Sequence, residues 1–258
     1  MSACQTVSWF SAGVSSAVAT RLIVDEIDCI FYVHIDDQHP DTLRFVRDCQ
    51  DWYGKKIEIL QSPKKSVDNV VRESSFVNSV YGSPCTKTLK LRVRQKWEQE
   101  HPELYPLCYV WGIDKDEVHR AERLQNTMCE FTHRFPLIEQ DIGKREAHEI
   151  LNASGIKRPV MYDLGYHNNN CVGCVKGGMG YWNKIRLDFP DVFEARAKLE
   201  REIGASCING VFLDELDPAR GRHKGPIVDD CGIMCEIMSL KHKVRHEHHA
   251  TIQRPVGD

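Results

Sequence analysis

A chain of 258 residues, 41% hydrophobic and 28% charged, suits one large α/β domain, alone or with a smaller C-terminal appendage, and excludes a disordered or fibrous protein. A formal charge of −3 excludes holding nucleic acid mainly by bulk charge, leaving only a local basic groove open. No apolar run approaches the ~20 residues of a membrane span, and the first residues lack the basic-then-apolar pattern of a secretory signal, so a soluble cytoplasmic protein is expected.

The first element opens at Val7-Ser-Trp-Phe10, short and apolar as a buried strand is. It breaks into Ser11-Ala12-Gly13-Val14-Ser15-Ser16. It resumes with Val14, Val18, Leu22 and Ala17, Arg21 at the i, i+4 spacing of a helix. Strand, small-residue turn, helix is a phosphate-binding geometry: backbone N–H groups and the helix dipole favour an anion at one point. Ser11, Ala12 and Gly13 let that anion approach the backbone, and Ser15 and Ser16 either cap the helix or donate hydroxyls to it. A plain strand-to-helix turn with a serine cap reads equally well from spacing alone.

Cys29 to Ile35 reads as a second buried strand, ending in the polar cluster Asp36-Asp37-Gln38-His39-Pro40. A helix from Asp41 ends at Gly54, with Leu43, Val46, Cys49 and Tyr53 or Trp52 inward, and Ile57 to Leu60 is a third strand. This alternation predicts a doubly wound, mostly parallel sheet with right-handed crossovers. Ser66 to Phe76 reads as a helix and Tyr81 to Cys85 as a turn. Thr86 to Glu100 reads as a helix whose first half is basic (Lys87, Lys90, Arg92, Arg94, Lys96): a solvated face, or cations entering a phosphate site. Leu107 to Gly112 is another buried strand, followed by the charged segment Ile113 to Arg123. Phe135 to Ile138 reads as a last short strand, and Gly143 to Asn152 as a helix.

Composition changes after Pro159. Tyr162 to Gly180 is rich in Gly and Asn, and Trp182 to Ile203 is a helix broken near Phe189-Pro190. Eleven cysteines, with no sign of secretion, point to metal or redox chemistry rather than disulfides. Cys4, Cys29, Cys49, Cys108, Cys129 and Cys207 stand alone and read as small buried hydrophobes. Cys171-Val-Gly-Cys174 lets two thiolates converge on a metal or cluster, with a redox dithiol as the alternative; Cys231 and Cys235 form a looser pair. The histidines from His242 to His249 read as a solvated tail.

Taken together, residues 7 to 185 resemble the PP-loop adenine-nucleotide superfamily, in its phosphoadenylylsulfate (PAPS) reductase-like branch. Ser11 to Ser16 is similar to the loop SGGxDS of that family. Asp36 stands where the family carries an aspartate near the nucleotide. Gly112-Ile-Asp with Arg120 and Arg123 resembles its nucleotide-contacting strand end, and Phe135-Pro-Leu-Ile with the following helix its "PL…D" segment. Leu164-Gly-Tyr-His-Asn-Asn-Asn-Cys-Val-Gly-Cys174 resembles the "GY…GCxxC" segment that ligates a [4Fe–4S] cluster in adenylylsulfate reductases. Cys85-Thr-Lys-Thr-Leu-Lys90 falls where those enzymes carry a cysteine pair ahead of a lysine.

The resemblance implies a nucleotide-binding domain over 1–158, with a Cys-bearing loop and helical region over 159–258 packed on it. Ser11, Ala12, Gly13, Ser15, Ser16, Asp36 and Gly112 would meet the nucleotide, with Lys90, Arg120 and Arg123 neutralising charge on a leaving phosphate. Cys85, Cys171 and Cys174, with Cys231 or Cys235, would ligate a [4Fe–4S] cluster or, alternatively, zinc. Four departures bear on the reaction, one of them that the segment from Val175-Lys-Gly-Gly-Met-Gly-Tyr-Trp182 onward has no counterpart in the ordinary reductases. Ala12 replaces a loop glycine, and Ser15 the aspartate that helps place Mg²⁺ in ATP-splitting members. Thr86 replaces the second cysteine of the pair. The tail has no ECGxH motif with the reductase nucleophile. The readings that stay open are sulfonucleotide (APS or PAPS) reduction, ATP-dependent adenylation with sulfur transfer as in nucleic-acid thiolation, and a nucleotide-binding module with structural zinc. Partners follow suit: a thiol reductant or sulfur-donor protein, a nucleic-acid acceptor, or a second copy in a homodimer, and no membrane.

Overall fold

The sheet is built where the apolar runs fall. The structure, a computed structural model, describes residues 4–78 and 83–222. Five strands, β1 (Gln5–Phe10), β2 (Cys29–His34), β3 (Ile57–Gln61), β4 (Leu107–Val110) and β5 (Thr132–Arg134), form one sheet in the order β3-β2-β1-β4-β5. Every pairing is parallel; Val7 of β1 lies opposite Cys29 on one side and Tyr109 on the other. All four residues of β4 are buried, as parallel strands covered on both faces require, whereas β3 at the edge is largely exposed.

Helices α1 (Val14–Leu22), α2 (Asp41–Tyr53) and α3 (Val67–Ser74) follow the first three strands. Gly54, left-handed at φ 63°, ends α2, and the Ser66 side chain caps α3 by accepting from Asn69 N. Residues 84–100 run as one helical stretch: α4 (Pro84–Thr86), a π-helical turn (Lys87–Leu91) and α5 (Arg92–Glu100). Cys85, expected in a turn, is therefore helical; Pro84 sits at the first helical position, where its fixed φ and missing N–H do no harm. Then come α6 (Val118–Thr127), α7 (Pro136–Glu139), α8 (Lys144–Ala153), α9 (Val160–Asp163), α10 (Met179–Asp188) and α11 (Pro190–Ile203).

Phe135 to Ile138 is not a strand. The last strand is Thr132–Arg134, and Pro136 opens the single turn of α7. A proline has no N–H for a ladder but suits a helix start. Glu139 secures the turn by accepting from Phe135 N at 2.9 Å while pairing with Arg134.

Three apolar clusters result. On one sheet face α1, α2 and α8 pack Val14, Val18, Phe45 and Leu151 against Phe10, Ile30 and Tyr32. On the other, Trp97 and Leu124 meet Phe31 and Tyr109. A third joins α3, Cys85, Leu89, the CxxC turn, α10 and α11. The lone cysteines divide: Cys49, Cys108 and Cys207 are buried as expected, Cys4 and Cys29 half-buried. Cys129, expected buried, is exposed just past the end of α6. Among the described residues no helix is long and apolar enough to cross a membrane.

Candidate nucleotide site

The strand order reverses between β1 and β4, and a ligand cleft opens beyond their C-terminal ends, as such switch points provide. Two residues give the loop 11–16 its shape. Ala12 is left-handed at φ 58°, an uncommon state for a residue with a Cβ. Its carbonyl accepts from Asn169 Nδ2 at 2.9 Å. Gly13, extended, precedes α1, and Ala17 N donates to its carbonyl at 2.9 Å. The expected serine cap is absent: Ser16 Oγ instead accepts from Ser11 N at 3.1 Å. Val14 N, at the helix N-terminus, donates to Tyr162 Oη at 3.3 Å.

Gly112 locks β4 to this loop. A Cβ there would lie 2.4 Å from Ser16 Cα and 2.6 Å from Ser16 N, so only glycine admits the approach. The loop divides the cleft into two compartments that share Ser11, Ser16 and Gly112 as their common wall.

The first compartment, about 120 Å³, is aromatic and basic: Trp9, Trp111 and Ile113 face Lys90, Arg94 and Arg120. Gln38 lines it too, its Oε1 fixed by Tyr32 Oη at 2.6 Å and Ile35 N at 3.1 Å. Arg120 is buried and donates Nη1 to the Glu117 carboxylate; its Nε is shielded from solvent with no acceptor among the described residues. Arg94 pairs with Glu98 at 3.4 Å and lies over the Tyr109 ring.

The second compartment, about 320 Å³, takes the N-terminal end of α1 together with Asp114, Asp116, Glu117, Lys144, Tyr162 and His167 to Asn169. Burial, and then the charge of Glu117, push the Asp114 carboxyl up to about 6. Lys144 Nζ donates to Asn168 Oδ1 at 2.7 Å. Behind Tyr162, edge-on at 4.9 Å, stands His148, lowered to about 4 by burial and then by the cations Arg158 and Lys144.

The cleft thus gathers Ser11, Ser16, Gly112, Lys90 and Arg120 around the first compartment, and Gly13 and Ser15 in the second. Ala12 is fully buried beneath them. Asp36 and Arg123 line neither compartment. Asp36 is half-exposed at the end of β2, accepting from Gln61 Nε2 at 2.6 Å, and Arg123 offers its carbonyl to Thr127 further along α6. Sequence reasoning passed over Trp9 and Trp111; it had Gln38 in the polar cluster after β2 and Arg94 in the basic run from Lys87 to Lys96, without giving either a place of its own in the site. The signal for the tryptophans was an indole at or just past each of two strand ends flanking the switch point.

A thiol layer adjoins the first compartment. Cys85, Cys171 and Cys174 line a cavity of about 10 Å³ with Thr86 and Lys90, both of which also line the cleft. The CxxC turn is firmly held. Gly173 supplies φ 72°, Cys174 N donates to Tyr181 Oη at 2.9 Å, that hydroxyl donates to Cys171 O, and Val172 N donates to Asp37 O at 2.8 Å. Three soft, buried donors suit a thiophilic metal or an iron–sulfur group. Yet no three His, Cys, Asp or Glu side chains among the described residues stand together closely enough to hold a metal ion. Cys231 and Cys235 lie outside the described residues.

The family model described as phosphoadenosine phosphosulfate reductase domain matches residues 5–179. A comparison with curated proteins finds no match.

Proposed function

Because the chain belongs to the phosphoadenosine phosphosulfate reductase domain family, we propose that it is an adenine-nucleotide enzyme of sulfur chemistry, acting on a sulfonucleotide held across the loop 11–16. The observation that carries this reading is that Thr86 and Lys90 line both the nucleotide cleft and the cysteine cavity, bringing the anionic end of a nucleotide beside a thiol layer. Trp9 and Trp111 offer aromatic faces to the base, and the N-terminal end of α1 attracts the phosphate. Lys90 and Arg120 neutralise charge gathering on the phosphate oxygen as it leaves. In reduction, a thiolate attacks the sulfate sulfur, the sulfur–oxygen bond to phosphate breaks, and the nucleotide departs with the electron pair. A second thiol then releases sulfite and leaves a disulfide. No described cysteine lines either compartment, so the attacking thiol comes from a thiol reductant or from the residues beyond those described.

To hold the iron–sulfur cluster, or zinc in its place, Cys85, Cys171 and Cys174 would have to draw closer together than they stand, with a further ligand from Cys231 or Cys235. When bound, such a group supplies positive charge and redox capacity next to the reacting sulfur. Lys90 then has a double role, facing both the layer and the leaving nucleotide.

A second reading, an ATP pyrophosphatase-type subunit of a thiolation system, is favoured by the second compartment. Its size and the helix N-terminus in it suit a polyphosphate. There ATP adenylates an acceptor such as a nucleic-acid base and releases pyrophosphate, with Mg²⁺ entering on the polyphosphate. Anaerobically prepared protein incubated with APS, PAPS and ATP separates the readings: sulfite with a thiol reductant supports the first, pyrophosphate the second. Tight nucleotide binding with neither product would overturn both and leave a binding module.

A further inference from the structure

The short edge strand β5 holds one wall of the first compartment from behind. Trp111, which lines that compartment and is itself buried, is tied to β5 twice. Its backbone N donates to Arg134 O at 3.1 Å, and its indole Nε1 donates to His133 Nδ1 at 2.9 Å. An indole nitrogen only donates, so Nδ1 of His133 is the bare, accepting nitrogen. The proton of the ring then sits on Nε2, which donates to Met128 O at 2.8 Å, a carbonyl that only accepts. Both partners thus demand the same neutral tautomer, and no other protonation state satisfies the two. The environment agrees. Burial, the largest influence, and Arg94 disfavour a second proton on the ring and outweigh the Met128 carbonyl and Glu130, which favour it. The imidazole also lies within 28° of the planes of Trp111 and Phe135, with centroids 6.2 and 6.3 Å away.

We propose that His133 is a positioning residue of the nucleotide cleft, its Nδ1 fixing the Trp111 indole as the wall against which the nucleotide body packs. This rests on the reading that the first compartment takes an adenine nucleotide. A buried indole N–H left without an acceptor is costly, so without His133 the ring turns to find another. Holding it beforehand removes that ordering cost from binding. His133 touches no part of the cleft lining itself and acts only through Trp111.

Calorimetric titration of the full-length protein with APS, PAPS and ATP, together with NMR of the His133 ring nitrogens and the Trp111 indole N–H, tests it. In the wild type the ring shifts should mark Nε2 as the protonated nitrogen. His133→Phe keeps an aromatic ring but removes the acceptor. It should move the Trp111 indole resonance and weaken binding about 3-fold, with circular dichroism unchanged. His133→Asn keeps an acceptor close to the place of Nδ1 without the ring and should recover most of the loss. With Trp111→Leu already in place, His133→Phe should cost nothing further, because the two act as one unit. Wild-type affinity in His133→Phe would overturn the inference. So would an equal loss in the Trp111→Leu background, the mark of a merely architectural histidine. A proton on Nδ1 in the wild type would overturn it without touching the nucleotide reading, whereas a wild type that binds none of the three nucleotides would overturn both.

Discussion

The two compartments on either side of the loop 11–16 share three wall residues and little else. One is small, with two indoles and three basic side chains; the other is larger and polar, with three carboxylates opposite Lys144. The difference teaches that the loop is a partition as well as the phosphate cradle we propose it to be. An anion on it has a cationic, aromatic side suited to a nucleotide body and an acidic side that admits further anions only together with a counter-cation. Charge complementarity of this kind governs what enters more than how tightly it is held.

The largest effect is expected where the partition itself breaks. Gly112→Ala drives a methyl group into the Ser16 backbone, which no rotamer can relieve. It should cost about 3 kcal/mol of stability, read by thermal melting, and abolish nucleotide binding. Next, Arg120→Gln removes one of the two buried cations of the first compartment and takes from Glu117, in the wall of the second, its ion-pair partner. Nucleotide affinity should fall by about 2 kcal/mol in calorimetry, the scale of a hydrogen bond to a charged group. An unchanged affinity would put the anion on the acidic side and erase the contrast.

The acidic side has its own test. Asp114 is held at about 6, above its ordinary 3.8, so the fold favours its protonated form. Its cost is absent below about pH 4 and grows as pH rises through 6. Asp114→Asn, which keeps the acceptor for Asp116 N, should therefore gain about 1.5 kcal/mol at pH 7.5 and almost nothing at pH 4, measured by denaturant melts at both values. The smallest effect belongs to Trp111→Leu. Losing one aromatic wall should weaken nucleotide binding by about 1 kcal/mol and remove part of the tryptophan quenching that reports it.

Where local chemistry alone decides, the residues were readable in sequence. The run from Val7 to Leu22 declared strand, turn and helix through its small residues and its i, i+4 spacing, and these elements stand where expected. Four apolar residues at Phe135 to Ile138 were ambiguous, since so short a run suits either element. Pro136 and the reach of Glu139 back to Phe135 N resolve it as helix. At the end of β2, two neighbouring aspartates had the same local signal. Only the packed structure separates them: Asp36 faces outward toward Gln61, while Asp37 turns inward to Val67 and Arg196. The wall of the first compartment was illegible for a similar reason, because it draws on β1, β4, the helical stretch 84–100 and α6, which only the sheet order brings together.

Asn169 and Tyr162 grip the loop 11–16 from 157 and 148 positions further along the chain. A chain emerging from the ribosome would make the strand and helix flanking that loop long before it made the residues that finish it. Contacts this distant in sequence form late, after a long loop has closed. Nascent chains shorter than about Asn169 would thus carry an unfinished loop, and nucleotide capture would switch on only once the cysteine-bearing segment is being synthesised. The order of translation itself thereby keeps the two halves of the chemistry from maturing apart.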